Sequence, residues 1–176
     1  MGNGMNKVLP GLFIGSLEDS QDENQIKSNN ITHILSLLDE PPELKPFLQN
    51  LKCKSIIIQN LPGQNMMQYF HECIAFIHRG RLSEGNVLVH CDTGSSRAST
   101  VCIAYIMTIA DVDPRSALRY LKAMRNIVRP NHGFRIQLVL YHRMEILEVR
   151  DALIEVFGDI NPADGMEVKK VLAGLS

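Results

Sequence analysis

Val87-Leu88-Val89-His90-Cys91-Asp92-Thr93-Gly94-Ser95-Ser96-Arg97-Ala98-Ser99-Thr100 is the stretch on which the reading of this chain turns. A Val/Leu run of strand type leads into a short polar loop, and an apolar helix-forming segment follows. Successive backbone N–H groups in such a loop form a concavity for an anion, and the helix behind it adds the positive end of its dipole. Gly94 supplies the backbone freedom that a tight loop needs. The same field favours the thiolate form of a cysteine at the mouth of such a loop, and the planar fork of an arginine holds two phosphate oxygens. Cys91 and Arg97 would then face one phosphoryl group as nucleophile and clamp, with the N–H groups of Asp92, Thr93, Gly94, Ser95, Ser96 and Arg97 around it. The competing reading makes Cys91 a core thiol and Arg97 a surface cation. The triplet of His90, Cys91 and Arg97 at this spacing arises by chance in a chain of this length on the order of 2% of the time, which favours the phosphate loop.

Outward from the loop, Lys7–Ile14 predicts two short strands around Pro10-Gly11, and Asp19 or Ser20 predicts the cap of a helix reaching Ser28. Ile31–Leu37 and Lys52–Ile58 read as buried strands. Residues 65–81 carry apolar side chains at spacings of three and four, as a helix requires. Asn86–His90 is a strand; residues 99–110, 114–124 and 134–149 are helices, the second opened by Pro114. Strands alternating with long helices predict an α/β fold with a central, mostly parallel sheet of about five strands and helices on both faces. The site falls at the carboxyl end of the strand that ends at His90. After Arg150 the pattern changes to small helices over 151–157 and 162–172, so the expected division is a domain over residues 1–150 and a helical appendage over 151–176.

The chain has 176 residues, 45% hydrophobic and 21% charged, which fits one globular domain and excludes disorder and collagen-like or coiled-coil architecture. Eighteen basic against nineteen acidic side chains give a net charge of −1, so bulk electrostatics do not point to nucleic acid. No apolar run approaches the roughly 18–20 residues that span a bilayer. The four cysteines form no CxxC pair and no secretory signal opens the chain, so a reducing cytoplasm is expected. Cys53, Cys73 and Cys102 read as core thiols. The histidines lack ligand spacing, and neither a metal nor a cofactor is expected.

The His90-Cys91-x5-Arg97 loop, together with Val8–Gly15, Ile31–Ser36, Ala104–Met107 and Arg129–Phe134, resembles the small atypical dual-specificity phosphatases of the protein-tyrosine phosphatase family. The resemblance covers residues 5–145 and makes residues 1–150 a dual-specificity phosphatase domain. It implies hydrolysis of phosphotyrosine and phosphoserine/threonine through a phosphocysteine on Cys91, with Arg97 on the phosphate. His90 and Asn131 match positions that support the loop. The opening Met1–Lys7 resembles the JNK-pathway-associated and myristoylated members, which implies MAP-kinase pathway components among the phosphoprotein partners. Gly2 is the matching lipidation site, although Asn6 replaces the usual Ser or Thr; one such chain gives weak, reversible membrane association of a cytoplasmic protein.

Three residues depart from the family pattern. Asn60 occupies the place of the general-acid Asp, and an amide cannot supply that proton. Ala98 follows Arg97 where a hydroxyl is usual, and Asp92 sits beside the nucleophile, where its charge is expected to point to solvent. A slow phosphatase, a phosphate-binding pseudophosphatase that traps substrates, and a scaffold that binds no phosphate are the readings these changes leave open.

Overall fold

The computed structural model describes residues 4–175. Five strands, β1 (Asn6–Leu9), β2 (Leu12–Gly15), β3 (Ile31–Leu38), β4 (Lys52–Ile57) and β5 (Asn86–His90), form one sheet in the order β1-β2-β5-β3-β4. β1 runs antiparallel to β2 and every other pairing is parallel, so the expected mostly parallel five-stranded sheet is what forms. The strand that leads into the loop is thereby central. Its alternation is complete on both faces: Val87 and Val89 enter the main core and Leu88 a smaller one opposite. Burial on both faces explains why this strand reads as a continuous apolar run.

The smaller core contains Phe13, Ile26, Ile34 and Leu48 beneath two short helices, α1 (Leu17–Ser20) and α2 (Glu23–Ser28), and a 3₁₀ turn at Pro46–Leu48. The opposite face carries α3 (Phe70–Leu82), α4 (Arg97–Ala110), α5 (Pro114–Met124), α6 (His132–Met144), α7 (Ile146–Phe157) and α8 (Pro162–Gly174). α4 is buried along its whole length, Arg97 included, because other helices surround it. Its isoleucines at 103 and 106 contribute roughly 1.5–3 kcal/mol each by leaving water.

Several local expectations change. Ser16 and Asp22 are the actual N-caps, and they divide the predicted helix to Ser28 into two. β4 is an edge strand with an exposed Cys53, so only one flank of it is covered and that thiol is not in the core. Cys73 and Cys102 are buried as expected. The segment over 65–81 begins as a 3₁₀ turn, Met67–Tyr69, where the N–H groups of Met66 and Met67 donate to Gln137 Oε1 and that of Gln68 to Asn65 Oδ1. The helix predicted over 134–149 starts at His132, capped by Asn131, and breaks at Glu145, whose φ of −128° leaves the helical region. α7 therefore runs across the 150/151 division, and Leu153 and Val168 lie in the main core.

Candidate active site

β5 ends at His90 and α4 begins at Arg97, and the loop between them turns its carbonyls outward. Asp92 O accepts from Leu17 N–H at 3.0 Å, Thr93 O from Arg125 Nη2 at 3.0 Å, and Ser95 O from Arg129 N–H at 2.5 Å. Ser96 O accepts from Thr100 N–H and from the hydroxyls of Ser99 and Thr100. Among the described residues, no N–H group from Asp92 to Ser96 finds a protein acceptor. Carbonyls bonded from outside and N–H groups left unpaired are the arrangement that can hold an anion. Gly94 is required at its position: its φ is +75°, and a Cβ would stand 2.5 Å from Gly15 O and 2.9 Å from Arg125 Nη2.

Cys91 is buried at the base of a cleft of about 430 Å³ whose walls include Asp39, Asn60, Asp92, Thr93 and Arg97. Arg97 is buried too. Its Nη1 donates to Ile58 O at 3.0 Å and pairs with the Asp39 carboxylate, whereas its Nε is buried with no partner. An unpartnered buried donor is costly, and an arriving anion removes that cost. Asp92 is exposed, so its charge stands toward solvent at the rim.

His90 is buried beside Cys91, and burial lowers its pKa to about 4 against the opposing hydrogen bond to Cys91. The neutral ring donates from Nδ1 to Cys91 O at 3.3 Å, which leaves Nε2 to accept from Ser36 Oγ at 2.6 Å. Asn131 bridges three elements. Its N–H donates to Ser96 Oγ at 3.1 Å, its Oδ1 accepts from Phe134 N–H at 2.9 Å, and its Nδ2 donates to Asn60 Oδ1 at 3.1 Å. Its brace on the loop therefore comes from the backbone, and its side chain reaches the segment that carries Asn60. Ser99 offers no replacement for a hydroxyl at position 98, because it donates to the carbonyls of Ser95 and Ser96 at 2.7 and 2.9 Å. Gly2 lies outside the described residues. Among the described residues no cluster of His, Cys, Asp and Glu could hold a metal ion.

The sequence reading did not single out Asp39 or Arg125. Arg125 spans from Gly4 O and Asn6 Oδ1 to Thr93 O, fastening the first strand to the loop. Neither has a motif of its own; the signal for each is a polar residue at the end of an apolar segment.

A family model described as the catalytic domain of dual specificity phosphatases matches residues 12–144. The chain belongs to the dual specificity phosphatase family. It is 42% identical to dual specificity protein phosphatase 22 of Homo sapiens, over 98% of this chain and 92% of that protein. Dual specificity protein phosphatase 15 of Mus musculus is 41% identical over 98% of this chain and 72% of its own length. The crystal structure of DUSP15 superposes with a TM-score of 0.84 at 42% identity, covering 89% of this chain and 98% of that one. That of the human tyrosine phosphatase-like serine/threonine/tyrosine-interacting protein reaches 0.74 at 30% identity, covering 80% and 97%. This phosphatase is accordingly a protein phosphatase acting on phosphoprotein substrates, and the resemblance read from its loop is borne out.

Proposed function

We propose that this phosphatase works through Cys91 and Arg97 and turns over slowly because Asn60 stands in the general-acid position. The observation that carries the reading is the ring of unpaired N–H groups above a buried Cys91, closed by the unpartnered Nε of Arg97. Phosphate oxygens would satisfy the N–H groups of Asp92, Thr93, Gly94, Ser95, Ser96 and Arg97 and the guanidinium edge. The Cys91 thiolate attacks phosphorus, the P–O ester bond breaks, and the departing oxygen takes its proton from water because the Asn60 amide has none to give. Water then attacks phosphorus, the S–P bond breaks, and inorganic phosphate leaves with the thiolate restored. His90 and Asn131 support the loop.

The test is steady-state hydrolysis of an activated aryl phosphate and a phosphotyrosine peptide by the parent, Cys91→Ser and Asn60→Asp. Cys91→Ser should lose both activities, and Asn60→Asp should raise peptide turnover about 10²-fold with a smaller effect on the aryl ester, whose leaving group needs less help. A parent no faster than Cys91→Ser that still binds the peptide would establish the trapping pseudophosphatase, which the amide at position 60 also favours.

The finer assignments belong to the same proposal. Residues 1–150 form the catalytic unit, and the appendage over 151–176 is fastened to it through Leu153, Val168 and an Arg81–Asp164 ion pair. Components of a MAP-kinase pathway are the substrates the opening residues favour. Myristoylation of Gly2 would let a cytoplasmic enzyme visit membranes reversibly, and no described helix is long and apolar enough to cross one. A mass shift of one myristoyl group, absent in Gly2→Ala, checks the lipid.

A further inference from the structure

Asp39 follows the last residue of β3, and the pairing of Ser36 with His90 places it three residues beyond the end of β5, level with the phosphate loop. β4 ends beside it: Ile58 N–H donates to Leu38 O at 2.9 Å, and Ile58 O accepts from Arg97 Nη1 at 3.0 Å. The ends of two strands therefore converge on one nitrogen of Arg97, the Asp39 carboxylate from one side and the Ile58 carbonyl from the other.

A guanidinium recognises phosphate best through two parallel N–H groups along one edge. With Nη1 occupied, the edge left is Nε with Nη2; among the described residues Nη2 donates to no protein acceptor, and Nε is buried and unpartnered. Arg125 Nε is also unpartnered, but its Nη groups are spent on Gly4, Asn6 and Thr93, whereas Arg97 lines the cleft that holds Cys91. Arginine carries considerable rotamer entropy when free, so a fixed Nη1 means that less is lost when phosphate arrives.

We propose that Asp39 is a positioning residue for phosphate binding: by holding Nη1 of Arg97 against the Ile58 carbonyl, it presents the Nε–Nη2 edge to the phosphoryl group. This rests on the assignment of Arg97 to the phosphate. A carboxylate that instead competed with phosphate for Arg97 would act in the opposite direction, so the two roles differ in sign.

The experiment measures inorganic phosphate as an inhibitor, with kcat and KM on an activated aryl phosphate, in the parent, Asp39→Asn, Asp39→Ala, Asp39→Glu and Arg97→Ala. Thermal melts check folding, and Ki and KM are compared well below the Tm of every variant, because Asp39 is exposed but its loss takes the counter-charge from a buried Arg97. Asp39→Asn and Asp39→Ala should raise the phosphate Ki and KM together by about tenfold with a much smaller change in kcat, and Asp39→Glu should recover part of the loss. A Ki that is unchanged or lower in Asp39→Asn, alongside a raised Ki in Arg97→Ala, overturns the positioning role alone. An unchanged Ki in Arg97→Ala removes the phosphate site itself and the inference with it.

Discussion

Arg81 and Arg97 each face an aspartate, and the two pairs are finished differently. Arg81 bonds both carboxylate oxygens of Asp164 at 2.8 and 2.9 Å, the Tyr105 hydroxyl at 2.9 Å and the Pro10 carbonyl at 2.8 Å. The two side chains are 11% and 15% exposed. Burial works against the charge on Arg81, but Asp164 and Tyr105 more than offset it and raise its pKa. Arg97 is 6% exposed, its partner Asp39 is 67% exposed, and the Nε of Arg97 has no partner. An arginine with all three of its guanidinium nitrogens engaged fastens the C-terminal helix to the domain. One held only through Nη1 keeps an edge for a ligand.

The largest expected effect separates these roles. Arg97→Ala should lower kcat/KM by about 10³-fold while leaving the denaturation midpoint near the parental value, because a buried unpaired donor leaves with the side chain. Arg81→Ala should do the reverse, costing about 3 kcal/mol in urea unfolding because Asp164 is left buried without its counter-charge. Activity per folded molecule should then stay within about twofold of the parent, since the variant is far from the cleft. If both variants lost the same property, the contrast between clamp and bolt would collapse.

Acid supplies a smaller effect. The folded pKa of His90 is lowered to about 4 from an ordinary 6.5, so as the pH falls the unfolded chain takes up the proton first. Its stability contribution is therefore complete above pH 6.5 and lost as the pH falls toward 4, the loss amounting to about 2 kcal/mol by pH 5. Urea unfolding of the parent and His90→Gln at pH 7 and pH 5 should show a shallower pH dependence in the variant. Arg81, charged throughout that range, should contribute nothing to the difference between the two pH values.

The strand–loop–helix around Cys91 was readable because its signals are local: strand, Cys91, Gly94 and Arg97 lie within a few residues, and Gly94 takes the positive φ its place in the loop suggests. The Val/Leu run likewise marked β5 as a strand, and the order of the sheet makes it central. β4 misled because Lys52–Ile58 is apolar enough for a buried strand, while its edge position depends on the order of the whole sheet. The break at Glu145 carries no Gly or Pro and could not be read from composition.

The amino-acid sequence by itself determined the phosphatase family, the strand–loop–helix that carries Cys91, Gly94 and Arg97, and the amide at position 60, since each is a matter of residue identity at short spacing. Tertiary structure alone decided which edge of Arg97 stays open. Asp39 and Ile58 lie 58 and 39 residues before it and reach Nη1 only because strand register sets the ends of β3 and β4 beside the loop. Side-chain type states what a guanidinium can bond, but the long-range pairing of strands determines which of its donors are already engaged.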